Sequence, residues 1–211
     1  WTKPSATKHY NHWLELAAIH LQLPAPRLAI QAMSDELLQT TSTHRDHYAQ
    51  LKVLAHFADD NTYSKMEQAY LNASGLNKRY LLNALGFVNN VQRMQRYYDF
   101  LLSDATNNDF IDYRFQFPFF NQSLRPAIFE YLASHTQQLH EHIELGSLQW
   151  FPFNFMTGCS QTVLEGMDRL LPRWQHLSGY IEKHTEIRAQ VESCARSVTQ
   201  QEPALMRFFT H

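Results

Sequence analysis

Residues 76–103 read LNKRYLLNALGFVNNVQRMQRYYDFLLS. Leu81, Leu85, Val88, Val91, Tyr98 and Leu102 fall on one helical stripe, and Tyr80, Phe87, Met94, Tyr97 and Leu101 on a second. Side chains three and four apart share a helical face. The spacing therefore predicts one central helix over 76–103, roughly 42 Å long at 1.5 Å per residue. Arg79, Asn83, Asn90 and Arg93 form a polar strip beside the two apolar ones, around Gly86.

Outward from this helix, the 211 residues hold only six Gly and eight Pro, and the Pro fall between periodic segments or at their starts. That distribution suits a helical chain. Helices are predicted over 6–21 and, opened by Pro26, up to Thr40. A third spans 43–59, and a fourth begins at Asp60-Asn61-Thr62 and stops at Ser74-Gly75. Downstream, helices are predicted over 123–145, 159–171 and 173–198, the last two as an antiparallel hairpin turning at Pro172. The expectation is an all-α bundle of about seven or eight helices, mostly antiparallel. It forms a single domain, 1–211, with sub-bundles 1–103 and 123–200 joined by the segment 104–122.

Two irregular, aromatic-rich segments interrupt the helices. Phe115-Gln116-Phe117-Pro118-Phe119 and Phe151-Pro152-Phe153-Asn154-Phe155 alternate Phe with other residues. Alternation by two puts rings on one side of an extended strand. The two segments either plug one end of the bundle or wall an apolar pocket. In the pocket reading Phe115, Phe117, Trp150, Phe151 and Phe153 line the ligand, and Arg93, Arg114 and Arg125 supply a carboxylate or phosphate clamp.

The formal net charge is −2. A nucleic-acid binder normally carries a clear basic excess, so nucleic acid is not an expected partner. No motif for a nucleophile, phosphate loop, redox centre or cofactor is present, and no enzyme activity is assigned. The twelve His include His9/His12, His44/His47 and His140/Glu144 at helical spacing. Two ligands do not make a metal site. His135 and His184 continue apolar stripes and are expected buried and neutral. With the hairpin pivoting at Pro172, Cys159 and Cys194 are offset by nine residues. That is about 13 Å along a helix, so both thiols are expected free and buried.

The chain starts at Trp1 rather than Met, and Trp1, Lys3 and Leu205 to Phe209 favour a membrane interface. These features suggest transmembrane segments flanking the chain. The resulting expectation is a non-enzymatic, ligand-sensing or signal-input domain on the extracytoplasmic (periplasmic) face of a bacterial membrane, taking a small-molecule or protein ligand. The alternative is a soluble helical protein–protein interaction module.

Overall fold

The computed structural model describes residues 13–42, 44–106 and 112–209, with no side-chain description at 112, 145 and 202–209. The expected pair His9/His12, Trp1, Lys3 and the side chains of 205–209 therefore lie outside the described residues. The chain is all-α, 80% helical, with no strand among the described residues and more helices than expected. It divides into two compact units, Trp1–Arg93 and Met94–His211. The division falls upstream of the segment 104–122.

In the first unit, a wide turn at Leu16–His20 precedes α1 (Pro24–Ala32), α2 (Ser34–Gln39), α3 (Arg45–Phe57), α4 (Asp60–Asn72) and α5 (Gly75–Leu85). α1 opens at Pro24, with Pro26 still in its first turn. Pro fits the first turn because the N–H it lacks has no intrahelical partner there. α3 buries Ala49, Leu51, Val53, Leu54 and Ala55, nearly all round its axis, so it is the central helix of this unit. The Asp59 carboxylate caps α4, accepting the Thr62 N–H at 2.7 Å. Asp59, not Asp60, is thus the cap, and Gly75 opens α5 at φ +57° rather than closing α4.

The single helix expected over 76–103 is two. α5 ends at Leu85, and α6 runs Val91–Leu101. The break has a local cause. The Asn90 side chain accepts the Arg93 N–H at 2.9 Å, which satisfies a first-turn donor and starts a new helix. Each of the two apolar stripes is thus divided between two helices.

In the second unit the main helices are α7 (Arg125–Ser134), α8 (Thr136–His142), α9 (Gln161–Trp174) and α10 (Tyr180–Phe209). The helix expected over 123–145 breaks at His135, whose ring stacks on Tyr131 at 3.9 Å between centroids. His135 is half-buried at this junction and not on the core face. His184 is buried, its Nε2 3.2 Å from the Met167 carbonyl.

Cys159 and Cys194 form a disulfide, with Cα atoms 5.1 Å apart, so the expectation of free thiols is overturned. The error lay in the pivot. Pro172 sits inside α9, and the chain turns at 175–179, where Gly179 takes φ +78°. Cys159 lies 18 residues before Leu177 and Cys194 lies 17 after it, so the two stand level across the hairpin. Both are half-buried.

Burial holds the imidazoles of His47, His56, His140 and His184 below their ordinary 6.5. Each stays neutral in the fold while the unfolded chain takes up a proton. Their contribution to stability is whole above 6.5 and is lost as pH falls from there through the folded-state values. The melting temperature is expected to drop between about pH 7 and pH 5. His184→Gln, which keeps a donor for the Met167 carbonyl, should flatten part of that slope. Superimposable melting curves across this range would show that these groups do not titrate differently on folding. Asp168 acts in a lower window: hydrogen bonds from Arg188 hold it below 3.8, so its contribution is lost only below that value.

Candidate functional site

The two aromatic segments meet inside the second unit. They do so as helical turns, Asp112–Phe115, Gln116–Phe119 and Phe151–Phe155, and not as strands. A helical turn buries residues four apart, which explains why Phe151 and Phe155 are buried and Phe153 only half so. The ring centroids of Phe115 and Phe151 are 5.3 Å apart, and those of Phe119 and Phe155 are 5.4 Å apart. Phe129 of α7 packs on both segments, 5.7 Å from Phe119 and 4.9 Å from Phe155. Such spacings are those of favourable tilted and edge-on aromatic pairs. The inner rings therefore pack mainly on one another.

The expected arginines separate by role. Arg125 is buried; its Nε donates to the Phe119 carbonyl at 3.2 Å and its Nη2 to the Thr157 carbonyl at 3.4 Å. It thereby pins the end of both aromatic segments to the first turn of α7. Its guanidinium also lies 5.0 Å over the Phe119 ring, and burial lowers its proton affinity. A charge so placed is held by carbonyl dipoles, as buried charges require. Arg114 is buried with its guanidinium 4.9 Å over Tyr113. Beside it the Tyr98 hydroxyl donates to the Phe115 carbonyl at 2.9 Å. Arg93 belongs to the first unit, 3.2 Å from the Asp60 carboxylate and 5.7 Å over Tyr63.

What faces solvent is a rim. Trp150 is 47% exposed and its ring lies 5.5 Å from the half-buried Phe153. The Lys183 ammonium, from the first turn of α10, sits 4.6 Å above Trp150 and 5.9 Å above Phe153. Phe117 is not part of the rim: it is buried, packed against Tyr113 and the exposed Phe120. Beneath the rim, Phe151 contacts Trp174 at 4.9 Å and Trp174 contacts Tyr180 at 5.5 Å, both edge-on.

Of the expected residues, then, Trp150 and Phe153 form the open surface, while Phe115, Phe151, Arg114 and Arg125 build the wall behind it. Lys183, Trp174 and Tyr180 were missed. Their signal was the pair of large aromatics flanking the Gly179 turn. Chemically, the rim offers aromatic faces and one cation already engaged with them. No three His, Cys, Asp or Glu come together to hold a metal among the described residues. A scan of the chain against protein-family models finds no match, and a search of curated proteins finds none either.

Proposed function

We propose that this chain is a ligand-sensing input domain that works outside the cytoplasm, with its ligand taken up where the Trp150 rim meets the start of α10. The observation that carries the reading is the Cys159–Cys194 disulfide, since disulfides persist in oxidising compartments. The rim supports the rest. Trp150, Phe153 and Lys183 join the turn before α9 to the first turn of α10, a helix of 30 residues or about 45 Å. A ligand bound there bears on one end of a long helix whose other end lies far away. Packed helices shift between discrete arrangements, which is how such domains pass a signal. No helix among the described residues is long and apolar enough to cross a membrane. In this reading the spans belong to sequence outside the chain.

The test is alkylation of the native full-length protein in unbroken cells, followed by mass analysis of 159 and 194, together with a search of the parent gene for apolar spans. A crosslinked pair and flanking spans are expected. Free thiols in the cell would sink the reading. The exposure of Trp150, with Ile181 at 52% and Met156 at 43%, favours a second reading, a module that docks a protein partner through this surface. Absence of flanking spans would select it.

A further inference from the structure

We propose that the outer layer of the first unit, residues 13–33, docks on the surface of an anionic lipid bilayer. Two elements make this layer: the turn at Leu16–His20 with the residues just before it, and α1. Both pack on α3 and on each other. The Leu23 N–H donates to the Ala17 carbonyl at 2.8 Å, which joins them at one end. In the first element Leu14 and Ala18, four apart, are buried. Trp13, Leu16 and His20, spaced by three and four, are exposed on the other side.

α1 is reversed for a helix whose outer face meets only water. Ile30 is its one buried residue, and Pro24, Ala25, Leu28, Ala29 and Ala32, which share a face, are all exposed. Its polar side chains lie to the flank. Gln31 donates to the Phe57 carbonyl at 3.2 Å, and the Arg27 guanidinium lies 5.2 Å over the Phe57 ring. A solvated surface helix carries its polar residues outward instead. Leu21 and Leu23, between the two elements, are exposed as well, so the layer shows Trp13 at 63% and Leu28 at 56% among a run of apolar neighbours. Such a run is a docking surface and not a scatter of single residues.

Charge selects the occupant. From Leu16 to Met33 there is no Asp or Glu, and the ionisable groups are His20 and Arg27, both exposed. The carboxylates at the two ends are engaged, Glu15 with Lys52 and Asp35 with Lys65. Glu36 is exposed but lies past the end of the layer, on α2. A second copy docked through this same face would bring no carboxylate to Arg27, because a two-fold interface sets like surface against like. A layer of lipid phosphates supplies the missing countercharge. Trp, Leu and a basic residue on one face are also the composition that seats a helix at the boundary of headgroups and acyl chains.

The proposal stands on the first unit alone and is independent of the thiol state and flanking spans that test the input-domain reading. The experiment measures flotation of the full chain with vesicles of phosphatidylcholine and phosphatidylglycerol in equal parts, and with vesicles of phosphatidylcholine alone, at low ionic strength. Partition to the anionic vesicles is expected, with a blue shift of tryptophan emission that is reduced in Trp13→Phe. Leu28→Glu should partition at least about tenfold more weakly, since it forfeits a buried leucine and adds a like charge. Arg27→Gln should lose about fivefold on the anionic vesicles. Leu71→Glu, at an equally exposed leucine on α4 outside the layer, should bind as the parent does. Both glutamate variants should melt with the parent, because these side chains face solvent. No flotation overturns the proposal, as does equal partition to the two compositions or an equal loss in Leu28→Glu and Leu71→Glu. A dimer in lipid-free solution that Leu28→Glu dissociates also overturns it, in favour of a second copy.

Discussion

Removing the crosslink with Cys159→Ala and Cys194→Ala together is expected to lower the stability of the second unit by about 4 kcal/mol. The figure follows from the loop, not from local contacts. The half-cystines are 35 residues apart, and tying the ends of such a loop removes entropy from the unfolded chain. The half-buried positions add little packing to that term, so alanine at both sites isolates it. Urea unfolding of the double variant should match that of the parent in reductant. A loss below about 1 kcal/mol would show that the unfolded chain is already constrained at this loop.

The second large effect is in the aromatic core. Phe129→Ala should cost about 3–5 kcal/mol, because a ring 2% exposed is replaced by a void between Phe119 and Phe155. Across from it, Gly166 of α9 is present for want of space: a Cβ there would overlap the Phe129 ring. Alanine in a helix gains about 1 kcal/mol over glycine, but overpacking costs about 1–3 kcal/mol. Gly166→Ala alone is therefore expected to destabilise, since Phe129 is hemmed in by two other rings. With Phe129→Ala in place the added methyl enters vacated space. The double variant should then be more stable than Phe129→Ala, a coupling of opposite sign to the single effect. Strict additivity in a double-mutant cycle would refute the contact.

The helical class was legible because apolar residues recur at helical spacing and Gly is scarce, a property of local sequence. The breaks were not. Gly86 reads as a tolerated interruption, and only the Asn90 side chain folding back on the Arg93 N–H shows that a new helix begins. Pro172 was taken for the turn because proline usually ends a helix, whereas Gly179, the residue with positive φ, makes the turn. That misplacement of a few residues changed the chemistry read from the chain, from two thiols to a crosslink. The candidate site was half legible. Alternation set Phe151, Phe153 and Phe155 together on one side of an extended strand, whereas the helical turn buries Phe151 and Phe155 and leaves Phe153 half-buried. Trp174 and Tyr180 flank the Gly179 turn in the sequence, but only the folded hairpin shows that Trp174 packs on both Tyr180 and Phe151.

The disulfide also changes what a broken backbone means. Residues 159–194 form a closed covalent ring, and its exposed turn carries Gln175, His176 and Ser178. Exposed turns are where proteases cut. A single cut there opens the ring without severing the molecule, since both new ends remain fastened through the sulfurs. The nicked protein keeps its mass, apart from one added water, until a reductant releases the fragments. Damage at this hairpin is therefore survivable for as long as the disulfide stays oxidised.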